Sequence, residues 1–233
     1  MSMLGPYASY NKETGYATWD HPTAEYVGIF ERLNIQPKGI IHVGLWDFCE
    51  NICYTKLVGN NVIGVEANKL VYETMSKPVA DRCGYKTFNE YLYSEDGVEK
   101  DFYMAGHCSG LYESSENSNA PSVKVKTKTL STLIKENDID MEGYDFLNID
   151  AEGAELDILK GFQDHLSYIN VIDLETSLDD RNNSGAFHDR IVDWLGKRGF
   201  ELREMSPSYE QQQWGDSLFV RTTRKHTPFG GLI

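Results

Sequence analysis

The chain has 233 residues, 40% hydrophobic and 12% aromatic, which suits a single globular α/β domain with a sizeable core rather than two domains. Its 36 acidic residues against 22 basic ones give a formal charge of −14, which repels phosphate backbones and anionic surfaces, so neither nucleic acid nor a membrane is expected as a partner. Cys49, Cys53, Cys83 and Cys108 lack the CxxC spacing of a zinc site, and no secretory leader or membrane-length apolar run is visible, so reduced thiols in a cytoplasmic protein are expected.

Residues 1–20 show no hydrophobic period and read as an arm or lid whose Tyr7, Tyr10, Tyr16 and Trp19 either stack on a sugar ring or pack as a flap. One domain is expected over 21–233. Its first helix starts near Pro22 and Thr23, carries Tyr26, Ile29, Phe30 and Leu33 on one face, and breaks at Pro37-Lys38-Gly39. A strand over Ile40 to Gly44 then feeds a helix in which Asp47 and Glu50 have capping-box spacing and Phe48, Ile52, Cys53 and Leu57 face the sheet. Cys49 and Cys53 are expected on one buried face of that helix.

Asn61 to Glu66 is the second strand, and the helix begun at Leu70 is expected to close near Pro78, the rhythm of a parallel sheet. Tyr85 to Tyr93 reads as the third strand. An insertion around 95–128 follows, with the turn Ser94-Glu95-Asp96-Gly97, a strand over Lys100 to Met104, a polar loop and an alternating strand over Val123 to Thr127. A helix starts at Leu130.

The fourth strand is the apolar run Phe146-Leu147-Asn148-Ile149, which ends abruptly in Asp150-Ala151-Glu152-Gly153-Ala154-Glu155 and passes into a helix with Leu156, Leu159 and Phe162 at helical spacing. Acids at a strand's carboxyl end lie where open α/β sheets bind ligands, although one of them can simply cap the helix. Asn170 to Glu175 forms the fifth strand. A helix from about Ala186 to Arg198 carries Phe187, Ile191, Trp194 and Leu195, and Phe200 to Met205 with Ser217 to Arg221 closes the chain as an antiparallel pair. Neither an internal repeat nor a linker is apparent.

Gly44 ends the first strand and Glu66 the second, 22 residues later, a spacing that suits a ribose, whose hydroxyls a carboxylate can accept. Leu45-Trp46-Asp47-Phe48 occupies the turn where a dinucleotide site wants further glycines, so an adenosine ligand without phosphates fits better than NAD. With these segments in place, the chain resembles the FkbM family of S-adenosylmethionine-dependent methyltransferases. The likeness rests on Ile41-His42-Val43-Gly44, Val62 to Asn68, Ile149 to Leu156 with Leu159-Lys160-Gly161, Val171 to Glu175 and Trp214 to Val220, and covers about residues 38–221.

The resemblance implies a class I methyltransferase fold: a seven-stranded, mainly parallel Rossmann-like sheet, helices on both faces and a C-terminal antiparallel hairpin. It implies S-adenosylmethionine at His42, Gly44, Glu66, Ala67, Asn68 and Asp150, with the adenine near Tyr91, Leu92 and Tyr93. The sequence departs from the family's pattern at His42, Leu45-Trp46, Phe48 and Ser131. The acceptor it implies is a hydroxyl of a small molecule, sugar or glycan.

Methyl transfer to a hydroxyl needs alignment and a proton acceptor. Asp150, Glu152 and Glu175 are the carboxylates for that chemistry, and Asp150 with Glu175 can hold a divalent cation such as Mg²⁺, although both can equally cap helices. His188 is the imidazole alternative, on a helix where a surface role competes. His107, Ser109 and Asp216 are the substrate-side candidates. The rival readings are a catalytically silent adenosine-binding or interaction module of the same fold and a nucleotide-sugar or NAD enzyme. The oligomeric state is not legible.

Overall fold

The computed structural model describes residues 8–11, 16–19, 25–178, 187–205 and 214–222. Tyr7, Pro22-Thr23, Ala186 and the side chains of Tyr10, Tyr16, Trp19 and Tyr26 lie outside the described set.

β1 (Ala8–Asn11) and β2 (Tyr16–Trp19) form an antiparallel pair ahead of α1 (Glu25–Leu33). β3 (Ile40–Val43), α2 (Asn51–Val58) and β4 (Val62–Glu66) follow. The next helix runs as α3 (Lys69–Val71), a π-helical stretch over Tyr72–Ser76, and α4 (Lys77–Cys83). β5 (Lys86–Asn89) leads to the antiparallel pair β6 (Glu99–Tyr103) and β7 (Ser122–Lys126), then α5 (Leu130–Glu136). β8 (Phe146–Ile149), α6 (Glu155–Gly161), β9 (Val171–Ser177), α7 (His188–Gly196), β10 (Phe200–Met205) and β11 (Trp214–Arg221) complete the order.

Seven strands make one sheet in the order β10-β11-β9-β8-β3-β4-β5, parallel from β9 to β5, with β11 antiparallel to both β9 and β10. This is the expected fold class. Every residue of β3, β4 and β8 is buried, which is why they read as continuous apolar runs: helices cover both faces. Ile41, Val43, Leu147 and Ile149 pack against Leu133, Ile158 and Leu159, while Ile40, Val62 and Phe146 pack on the other face with Phe30, Cys53 and Tyr54. β3 pairs with β4 on one side and β8 on the other, so the sheet order reverses there and a crevice opens at the strands' carboxyl ends. Among the described residues no helix is long and apolar enough to cross a membrane.

Three local expectations need correction. α2 starts at Asn51, because Phe48 has φ 56°, outside the helical region, and the chain first makes a turn through Phe48 N to Leu45 O. Asp47 therefore accepts from Cys49 N instead of capping a helix, Glu50 makes no capping bond, and Cys49 does not share a helix face with Cys53. Pro78 does not end its helix: it lies in the first turn of α4, just after the π-helical change of hydrogen-bond register, where its missing N–H is least costly. The third strand stops at Asn89, whose amide turns back to donate to the carbonyls of Glu66 and Ala67, leaving Leu92 to bridge Lys128 alone. Among the described residues, none of the four cysteines forms a disulfide.

Candidate active site

The turn after β3 is built by close approach. Gly44 has φ 86°, and a Cβ there would lie 1.6 Å from the Asp150 carbonyl oxygen, so only glycine lets this turn pass the end of β8. Trp46 and Phe48 repeat the left-handed conformation at φ 44° and 56°. Glu66, at the end of β4, holds the turn: its Oε2 accepts the N–H groups of Leu45 and Trp46 at 3.0 Å each, and its Oε1 accepts from Asn68 N at 2.7 Å. Burial pushes the Glu66 carboxyl above the usual carboxylate range, and these amide bonds pull it back.

Asn68 caps α3 through Oδ1, which accepts from Leu70 N and Val71 N, and its Nδ2 donates to Ser109 Oγ at 3.0 Å. That bond fixes the segment between β6 and β7 over the crevice. Gly106 lies beside the Trp46 indole, His107 meets that ring edge-on at 5.6 Å between centroids, and Gly110 abuts Glu152. Residues 106–110 thus roof the crevice from the turn after β3 to the turn after β8.

The acids fall into two groups. Glu155 is structural: its Oε1 accepts from Ala151 N and Gly153 N at 3.0 Å each, fixing a turn in which Glu152 has φ 51°, and burial raises it to about 7. Asp150, Glu152 and Glu175 instead converge, with one carboxylate oxygen from each lying within 4.8 Å of the others. Asp150 opens to the crevice while protein packs around its remaining sides. Desolvation, then the charge of Glu152 and of Asp216, holds its carboxyl well above the carboxylate range; desolvation and the Asp150 charge do the same for Glu175. Asp216 stands opposite Glu175 in the β9–β11 pairing. Glu50, raised to about 7 mainly by burial, carries the single buried side-chain oxygen without a hydrogen-bond partner among the described residues, Oε2.

These elements form a crevice open to solvent, lined from Gly44 and Trp46 through Glu66 and Tyr91 to Asp150 and Glu152. Among curated proteins no match to the sequence is found. The family described as methyltransferase FkbM domain matches residues 35–202. The chain belongs to the FkbM methyltransferase family. By family and fold it is an S-adenosylmethionine-dependent methyltransferase. Solved structures agree on the fold. Ribosomal protein L11 methylase from Lactobacillus delbrueckii subsp. bulgaricus is 15% identical over 89% of this chain and 82% of its own, with TM-score 0.50. Cofactor-bound Rv0187 from MTB is 10% identical over 88% and 81%, also with TM-score 0.50.

Within this FkbM fold, Gly44, Glu66, Ala67, Tyr91, Leu92 and Asp150 line the cavity, as do Glu152, His107 and Ser109. Other candidates sit elsewhere. His42 is buried on the sheet face under α2, where its Nδ1 meets the Tyr54 hydroxyl at 3.3 Å and burial lowers it to about 3. Asn68 reaches the roof through Ser109, and Tyr93 packs beneath Lys100, whose ammonium stands 4.1 Å from the ring centroid. His188 bonds Thr176 Oγ1 at 3.0 Å; because strand side chains alternate, it lies across the sheet from Glu175. Trp46 and Glu90 line the cavity without having been singled out as ligand contacts. Glu90 pairs with Lys128 at 2.7 Å, and its position just before Tyr91 was the signal available for it.

Proposed function

We propose that this chain transfers the methyl group of S-adenosylmethionine to a hydroxyl of a small molecule, sugar or glycan. The observation that carries the reading is the convergence of Asp150, Glu152 and Glu175 beside Gly44 at the sheet's switch point. In this arrangement Glu66, Tyr91 and Leu92 face the adenosine and the acids face the acceptor. The bound donor supplies an electrophilic methyl on sulfur; the protein aligns a hydroxyl behind it and takes the hydroxyl proton. Burial first, and then the neighbouring carboxylates, makes Asp150 and Glu175 stronger bases than isolated carboxylates, which suits that step.

The three carboxylates also fit a hard divalent cation such as Mg²⁺, since all offer oxygen at mutual distances a single ion can bridge. Asp150, Glu152 and Glu175 would hold it, and it would relieve their repulsion and acidify a bound hydroxyl. The charge of −14 and the absence of lysine and arginine from the cavity lining, among the described residues, argue against an anionic acceptor such as nucleic acid. Four cysteines that form no disulfide among the described residues suit a cytoplasmic site of action.

A silent adenosine-binding module is the second reading, favoured by the commitment of both Glu66 oxygens to backbone amides. Incubation with methyl-labelled S-adenosylmethionine and a panel of polyol, glycan and phenolic acceptors separates the two. Label transfer that Asp150→Asn abolishes supports the enzyme. Saturable donor binding with no transfer to any acceptor supports the module.

A further inference from the structure

We propose that Trp46 is the residue by which this site distinguishes the positively charged methyl donor from its uncharged product, its indole ring binding the sulfonium. The inference rests on the methyltransferase reading above and goes beyond it by assigning charge recognition to one side chain.

The backbone poses the question. Gly44, Trp46 and Phe48 all take positive φ, and left-handed geometry costs a residue with a Cβ roughly 1–2 kcal/mol where glycine pays nothing comparable. Phe48 is explained by packing, since it is fully buried with its ring against His42, Tyr54 and Tyr85. Trp46 has no such core role. It is half-buried, it lines the cavity, and its ring stands against Gly106 and the exposed His107, which line the same cavity. The fold nevertheless pins it at both backbone ends: Trp46 N donates to Glu66 Oε2 at 3.0 Å, and Ser76 Oγ donates to Trp46 O at 2.7 Å. Strain maintained on a residue that faces a cavity points to a ligand contact.

Location and charge say which contact. With adenosine against Glu66, Tyr91 and Leu92, and the acceptor against Asp150 and Glu152, the reacting sulfur falls between them, in the part of the cavity that Trp46 and Gly44 also line. The lining carries the carboxylates Glu66, Asp150 and Glu152, besides Glu90, which is already paired with Lys128, and among the described residues no lysine or arginine, so a cation is favoured there. Indole is the strongest aromatic partner for a cation. Unlike a carboxylate, it binds a sulfonium without competing for the methyl group as an oxygen nucleophile.

In the reaction the acceptor oxygen forms a bond to the methyl carbon while the carbon–sulfur bond breaks and leaves its electron pair on sulfur. The hydroxyl proton passes to a carboxylate. Sulfur becomes a neutral thioether, so the attraction to Trp46 disappears as the product forms and release is favoured.

Calorimetric titration of the whole chain with S-adenosylmethionine and with S-adenosylhomocysteine tests this in wild type, Trp46→Leu, Trp46→Gly and Trp46→Phe, with thermal melting to establish that each is folded. Trp46→Gly removes the ring while relieving the backbone, so its loss of binding is not a loss of fold. Trp46→Leu and Trp46→Gly are expected to weaken the donor by roughly tenfold and the product by less than about twofold, and Trp46→Phe to keep most of the preference. Equal losses for both ligands, or an unchanged ratio in Trp46→Leu and Trp46→Gly, overturn the role of Trp46 while leaving the methyl-donor site standing. Binding of neither ligand to the wild type overturns both.

Discussion

Glu66 and Trp46 are tied together: the carboxylate that ends β4 accepts the backbone N–H of Trp46, and of Leu45 before it, through a single oxygen. The residue expected to meet the ribose therefore also fixes the turn after β3. Glu66→Ala should weaken S-adenosylmethionine binding by about tenfold or more and lower stability by roughly 1–3 kcal/mol, since it orphans three buried or half-buried amides. Calorimetry and urea unfolding read the two effects. A variant that loses binding at unchanged stability would show that the carboxylate serves the ligand alone.

Gly44 admits no side chain. With φ 86° and the Asp150 carbonyl in the place of a Cβ, Gly44→Ala should cost about 3 kcal/mol or more, because either the turn or the end of β8 must move. An alanine variant with wild-type melting temperature and activity contradicts the packing described.

His42 gives the protein a specific acid sensitivity. Burial lowers its folded-state value from 6.5 to about 3, so between those values the unfolded chain binds a proton that the folded one does not. Its contribution is intact above about pH 6.5 and is lost as pH falls toward about 3. His42→Gln should therefore lose roughly 2–3 kcal/mol less stability than wild type between about pH 7 and about pH 4.5. Parallel unfolding curves at the two pH values would refute it.

Glu175 has the opposite sign. Its folded-state carboxyl is raised by burial and by Asp150, so its ionisation penalises the folded chain as pH rises above the ordinary carboxylate range. Glu175→Gln should raise the stability of the ligand-free protein at about pH 8 by roughly 1–2 kcal/mol while lowering methyl transfer by about a hundredfold. If Mg²⁺ binds the three acids, it should raise the melting temperature of wild type and leave that of Glu175→Gln unmoved. Destabilisation by Glu175→Gln at pH 8 would mean that the carboxylate is held by compensating contacts rather than strained.

The sheet was legible because β3, β4 and β8 are buried on both faces and cannot be written without apolar runs. The meeting of Asp150 with Glu175 was legible too, since it follows from two adjacent parallel strands ending in acids. What could not be read was direction. Neighbouring strand residues face opposite sides, and nothing in the sequence shows that His42 turns to Tyr54 or His188 to Thr176. Nor do the letters Trp46 and Phe48 announce positive φ, which the contacts of Glu66 and Ser76 with Trp46 and the packing of Phe48 accompany. Glu155 looked equivalent to its neighbours in the acid cluster, yet its hydrogen bonds to Ala151 and Gly153 make it the brace of the turn.

Calorimetric titration of the wild-type chain beside Glu66→Ala shows whether the crevice between the turn after β3 and the end of β8 binds S-adenosylmethionine. Saturable, one-to-one binding in roughly the micromolar range is expected, weakened by about tenfold or more in Glu66→Ala. No heat of binding to the wild type at millimolar donor, or equal affinity in the two proteins, would contradict it.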